Sequence, residues 1–163
     1  LQSSKDNLNI IIIGDGTLYE ESINICKNSG FLDSFQFLKS IPHIDVLKHH
    51  LGSDIYVSAN TDGNLINTNL EAISSNDCMV IPYPQNKKFI DIETHKLLAD
   101  AVVYYKVNDV NDLKDKILFL LNNPNKIKFF KEKIALTKLK FIKTWEKRMN
   151  EEEKILANIV NNN

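Results

Sequence analysis

The chain has 163 residues, of which 43% are hydrophobic and 25% charged, proportions that suit one globular domain with its own core and argue against a second independent one. Nineteen lysines and one arginine stand against 21 acidic residues, for a formal charge of −1, so the total exerts no net pull on nucleic acid or anionic lipid. The two cysteines, Cys26 and Cys78, are too few for a disulfide framework or a thiolate cage; their apolar neighbours mark them as small buried hydrophobes of a reducing, cytoplasmic setting.

No apolar run approaches the roughly 20 residues that span a bilayer, and the N-terminus lacks the basic-then-apolar pattern of a signal peptide. The sequence opens without methionine on "LQSSKDNLNIIIIGDG" and reaches an apolar run almost at once, so a fragment of a longer protein is expected. Asparagine, isoleucine and lysine are abundant and alanine, glycine and arginine scarce. AT-rich coding produces that bias, so the many asparagines need not each have a role.

In chain order, "NIIIIG" (9–14) is a β-branched run of the kind expected of a strand covered on both faces. A loop and a helix from about Thr17 follow, with Ile23 and Cys26 inward and Gly30 just past the end. "FQFLKS" (35–40) reads as a strand and "HIDVLKHHLG" (43–52) as a short helix with Pro42 at its start. "DIYVSA" (54–59) is a third strand. A polar loop and a helix of about 67–75 lead to "CMVIPYP" (78–84), a fourth strand that Pro82 is expected to end.

"VVYYKV" (102–107) is the fifth strand, and "DLKDKILFLLNN" (112–123) an amphipathic helix with Leu113, Ile117, Leu120 and Leu121 on one side. After Pro124 comes a long helical pattern in which Ile127, Phe130, Ile134, Phe141, Trp145 and Met149 fall near one stripe. Strands alternating with helices over short connections imply βα units and a parallel sheet covered on both faces, an α/β class of Rossmann-like architecture. Ligands of such sheets sit outside the carboxyl ends of the strands. Here those ends are "GDGT" (14–17), "SIPH" (40–43), "SANTDGNLINT" (58–68) and "PYPQNKK" (82–88).

Several chemistries can be weighed on that rim. A dinucleotide fingerprint needs a third glycine where Tyr19 stands, so "GDG" does not make one. Gly14 and Gly16 fit a tight strand-to-helix turn better than a phosphate contact. The helix from about Asn67 has no acid in its first turn, so its free N–H groups and dipole suit a phosphate. One turn further in, Glu71 has the reach to accept two hydroxyl hydrogen bonds, as from a ribose. The competing reading is a solvated glutamate behind an asparagine cap at Asn67 or Asn69. His43, His49, His50 and His95 lack metal-ligand spacing, and no metal is expected. Asp45 with His43, or Cys78 with any histidine, makes no nucleophile constellation. The lysine-rich stretch 126–147 reads as a solvated face, with contact to an acidic surface as the other option.

The order of these motifs resembles the C-terminal, nucleotide-sugar-binding domain of the GT-B glycosyltransferases, retaining family 4 in particular. "NIIIIGDG" resembles that family's strand and Gly-x-Gly turn, and "LKSIPHIDVLKHHLGSDIYVSAN" its segment ending in an aspartate-initiated strand and a serine. "DGNLINTNLEAISSNDCMVIP" resembles its acidic-Gly loop, Leu-Glu-Ala helix and apolar strand. "DLKDKILFLLNNPNKIKFF" with "FIKTW" resembles its closing helices, and the likeness covers nearly the whole chain.

The resemblance implies one half of a GT-B fold. It covers 1–163 as a single donor-binding domain, with closing helices from about 110 and without the acceptor domain and first βα unit. It implies that Glu71 holds the donor ribose, that N–H groups of Ile66, Asn67 and Thr68 hold the diphosphate, and that Ser40 and Ile41 lie where the base is read. Gly14, Gly16 and Gly63 belong to its donor-binding turns. The implied reaction moves a sugar from a UDP- or GDP-sugar to an acceptor hydroxyl with retention and without a cofactor. The acceptor, a glycan, a lipid-linked molecule or a protein, would come through the absent domain. Nucleic acid is not an implied partner, whereas peripheral contact with the cytoplasmic membrane face is allowed.

Three departures stand out. The family pairs two acids eight residues apart, but Gly63 stands eight before Glu71 and Asp62 one further back, which makes Asp62 the candidate catalytic acid at the sugar. "SSND" (74–77) replaces a turn that usually contains glycine. The arginine and lysine that neutralise the diphosphate belong to a unit upstream of residue 1. A non-catalytic GT-B module used in binding or assembly is therefore the alternative reading. A phosphate-binding receiver or epimerase domain is more distant, since Asp15 and Asp62 hardly form an aspartate cluster.

Overall fold

β-Branched apolar runs fed by short loops into amphipathic helices form parallel ladders, and this chain does so throughout. The computed structural model describes residues 8–60, 65–83 and 92–161. They fall into two compact units, Leu1–Ser53 and Asp54–Asn163. Every strand pairing among the described residues is parallel, and seven α-helices flank the strands. The class is α/β.

In the first unit, β1 (Ile10–Ile13) pairs in register with β2 (Phe35–Leu38). Helix α1 (Tyr19–Ser29) connects them and ends on Gly30 at φ +71°. The Gly30 and Phe31 N–H groups return to the Lys27 and Cys26 carbonyls, the paired closure that a left-handed residue after a helix permits. A single 3-10 turn (Leu32–Ser34) precedes β2, and α2 (His43–Gly52) follows Pro42. The core here is thin. Cys26 is its buried hydrophobe, and Ile12 and Ile13 remain 37% exposed, so the double cover expected of "NIIIIG" is not realised in this two-stranded ladder. Phe37 stacks against Phe35 and takes the Tyr19 ring edge-on.

The second unit holds the main core. Its sheet has the order β3-β4-β5, from Ile55–Val57, Cys78–Tyr83 and Val103–Lys106. Alternation along the central strand sends Met79 and Ile81 to one face, with Ala72, Ile73, Leu98 and Ile134. Cys78 and Val80 go to the other face, with Val103, Tyr105 and Leu120. Helices α3 (Asn67–Ser74) and α4 (Ile92–Leu98) serve the first face, and α5 (Val110–Leu121) the second. Helix α6 (Pro124–Phe141) contributes to both, through Ile134 on one side and Ile127 and Phe130 on the other. Burial on both faces is what a parallel central strand needs.

Three sequence expectations change. Pro82 does not end β4 but lies within it, opposite Tyr105. The Val80 carbonyl accepts the Ser58 N–H, so alternate residues of β4 turn their backbone groups toward β3. The N–H that Pro82 lacks would point there too, toward the Ser58 carbonyl; that carbonyl accepts the Tyr105 hydroxyl at 3.0 Å instead. Helix α4 was not anticipated. The long stripe running to Met149 breaks at Ile142–Thr144, where the Ile142 N–H closes on the Lys138 carbonyl. Helix α7 (Trp145–Asn161) begins anew, leaving Trp145 72% exposed rather than in the core.

Candidate functional site

The candidate site is built where β3 gives way to α3. Ser58, just past the strand, is buried and tied down from two directions. Its N–H donates to the Val80 carbonyl at 3.0 Å, and its own carbonyl accepts the Tyr105 hydroxyl at 3.0 Å. Its Oγ accepts the Asn60 N–H at 3.3 Å. The strand end is thus rigid at the point where the polar loop departs. Residues 61–64, which include Asp62 and Gly63, lie outside the described residues.

The chain returns at Leu65, whose side chain packs on the core. Ile66 takes the N-cap position of α3 with extended backbone, φ −78° and ψ 166°, and offers no side-chain cap. The first turn contains no acid. Asn67 is exposed and does not cap. Asn69 is buried, with its Oδ1 3.0 Å from the Tyr56 hydroxyl, and the Thr68 Oγ1 lies 3.1 Å from the same oxygen. A single phenolic proton donates to one of these acceptors at a time, and the Thr68 hydroxyl is able to donate in return. The asparagine-cap reading therefore fails locally: Tyr56 draws Asn69 toward the sheet, and Asn67 stands exposed one residue past the N-cap position. The helix start presents backbone N–H groups and a positive dipole end without an anionic side chain of its own.

Glu71 follows one turn inside, on a half-buried position beside fully buried Ala72. Burial raises the Tyr56 phenol above its ordinary value. The Thr68 and Ser58 hydroxyls pull the other way, and the Glu71 and Asp77 carboxylates add to the rise. The Glu71 carboxylate thus lies within electrostatic reach of Tyr56, on the same helix start as Ile66, Asn67 and Thr68. Four of the residues singled out from sequence are gathered in one turn and a half of helix.

Gly14, Gly16, Ser40 and Ile41 belong to the first unit. Gly14 adopts φ +153° and donates its N–H to the Leu38 carbonyl at 2.9 Å. Space around it is open, so the demand for glycine there is one of backbone conformation. The Gly16 carbonyl accepts the Tyr19 N–H at the start of α1. Ile41 is half-buried and Ser40 exposed between β2 and α2.

Sequence reasoning passed over Tyr56 and Tyr105, took Asn69 only as a cap candidate and Ser58 only as part of the strand end. The signal was there in the alternation of "DIYVSA", which puts Tyr56 and Ser58 on one side of the strand. What that side meets is set by strands and helices distant in sequence. Among the described residues no group of three or more His, Cys, Asp or Glu side chains is placed to hold a metal ion.

The family model described as glycosyl transferases group 1 matches residues 1–136, from before β1 to within α6. The chain belongs to that family. No curated protein matches the chain. Membership makes the protein a glycosyltransferase and accounts for its Rossmann-like parallel strands. Within the family match fall both the α3 start with Glu71 and the Gly14 turn, whereas α7 lies beyond it.

Proposed function

We propose that this glycosyl transferases group 1 chain is the donor-binding domain of an enzyme that moves a sugar from UDP- or GDP-sugar to an acceptor hydroxyl with retention. The start of α3 carries the reading: an N-terminus without side-chain cap or acid, at the carboxyl end of a parallel strand, followed within one turn by a half-buried glutamate. N–H groups of Ile66, Asn67 and Thr68 receive the diphosphate, and the Glu71 carboxylate accepts hydrogen bonds from the two ribose hydroxyls.

In the reaction the acceptor oxygen forms a bond to the anomeric carbon while the bond to the diphosphate oxygen breaks. The electron pair leaves on the diphosphate, where the helix dipole stabilises it, and the acceptor proton passes to the departing phosphate. Asp62 is assigned to the sugar side on the strength of the resemblance alone. The charge-neutralising pair and the acceptor site are assigned to parts of the protein outside these 163 residues, so we expect the chain alone to bind nucleotide and transfer nothing.

Titrating the 163-residue chain with UDP and GDP, followed by amide NMR, tests this. Shifts are expected at Asn67, Thr68 and Glu71, with Glu71→Ala weakening binding about 10- to 100-fold, the range for losing charge-assisted hydrogen bonds. Shifts with neither nucleotide at millimolar concentration would overturn the donor site and favour a non-catalytic module of the same fold.

A further inference from the structure

The near-zero total charge conceals a segregation. Residues 124–143 contain seven lysines, among them Lys126, Lys128 and Lys140, against the single acid Glu132. They therefore hold seven of the chain's 20 cationic residues. Helix α6 (18 residues) takes up all but the last two positions of this stretch and runs about 27 Å at the α-helical rise.

Its two sides differ sharply. Ile127, Phe130, Ile134 and Thr137 recur at helical spacing on the inner side, where Ile134 is fully buried and Thr137 is 4% exposed. The outer side is not simply polar. Phe129 and Leu136 are seven residues apart and Leu139 three further on, so all three lie along one line, in which the exposed Glu132, three past Phe129 and seven before Leu139, also stands. They are 42%, 62% and 78% exposed. Lys126, Lys133 and Lys140 repeat at the same seven-residue interval beside that line. The Lys126 and Lys133 ammonium groups sit 5.3 and 5.5 Å from the centre of the Phe129 ring, with their alkyl stems extending the apolar strip. Lys133 also pairs with Asp100 at 2.6 Å, and Lys138 donates to the Ser74 carbonyl. Lys126, Lys128 and Lys140 are exposed.

We infer that the outer face of α6 docks on an anionic lipid surface. Apolar side chains projecting between flexible lysines match a bilayer interface, where Phe and Leu enter the headgroup–acyl boundary and ammonium groups stay at phosphate level. Nucleic acid would use the charge but leave Leu136 and Leu139 in water. No described helix is long and apolar enough to cross a membrane, so this contact lies in the plane of the surface. It does not depend on a nucleotide occupying the α3 site.

Flotation of the 163-residue chain with phosphatidylcholine–phosphatidylglycerol vesicles, against pure phosphatidylcholine, is the test. Binding is expected to the mixed vesicles, and salt should weaken it. Replacing all three exposed lysines (Lys126→Gln, Lys128→Gln, Lys140→Gln) should lower partitioning about a hundredfold, at about fivefold per lysine. Leu136→Ser with Leu139→Ser should abolish stable flotation, and Glu132→Lys should raise it. Circular dichroism confirms that these surface variants stay folded. No flotation, equal binding to neutral vesicles, or binding indifferent to the leucine pair would each overturn the inference. So would retention on polyglutamate without flotation, which would point to an acidic protein.

Discussion

Single residues of the second unit carry chemical consequences that burial decides. Cys78 is fully buried in β4, and burial pushes its thiol from 9.0 to about 12, with Asp77 adding to the rise and Lys131 opposing it. Tyr104 moves from 10.0 to about 12 by burial in the same way, with Tyr83 adding a little. Both groups stay protonated in the folded chain while the unfolded chain releases protons near the ordinary values. Stability is therefore full below pH 9.0 and falls as pH climbs toward about 12. Urea midpoints measured across that interval should decline, and Cys78→Ala should flatten the early part of the decline. An unchanged slope would remove Cys78 from the account. The burial of Cys78 was legible in "CMVIP", because a short unbroken apolar run is the mark of a strand covered on both faces. Tyr104 was not: its partners His95 and Tyr83, with ring centres 5.1 and 5.6 Å away, come from a helix the sequence did not announce and from the end of another strand.

Among the elements, α3 is the one whose stability and proposed function pull apart. Its N-cap backbone has the geometry that a capping side chain needs, yet Ile66 supplies none. Helix α5 shows the contrast: the Asp109 side chain accepts the Asp112 N–H at 2.9 Å, and Asp112 in turn accepts the Lys106 N–H at 2.7 Å. Ile66→Asp should give α3 such a cap and raise stability by about 0.5–1 kcal/mol. The same carboxylate would occupy the phosphate position and repel it, so nucleotide binding should fall while the thermal midpoint rises. A variant that gains stability and keeps its nucleotide affinity would show that phosphate does not sit there. The helix itself was readable from "LEAIS" and its boundaries hold within a residue or so. That it would be left uncapped was not readable, since the helix starts on Ile66 and Asn69 is held by Tyr56.

At the scale of the molecule, order is unevenly distributed. The buried hydrophobic residues of the second unit include Met79 and Val80 at 0% exposure, whereas among the described residues the first unit contributes Cys26 alone. Native-state hydrogen exchange should accordingly find the β4 amides slowest and the β1 amides orders of magnitude faster. Equal protection in both strands would contradict this distribution of burial. By itself the sequence determined the α/β class, the order of the five strands and the αL glycine after α1. It also determined the cluster from Ile66 to Glu71, because side-chain periodicity and backbone conformation are local properties. Tertiary structure decided the rest. It admitted Pro82 into β4 by giving the Ser58 carbonyl the Tyr105 hydroxyl, exposed Trp145 by breaking the helix ahead of it, and turned Asn69 away from capping toward Tyr56. It also left Lys126, Lys128 and Lys140 of α6 exposed while Lys138 reaches the Ser74 carbonyl. Each of these depends on what stands across from a residue, and spacing along the chain carries no record of that.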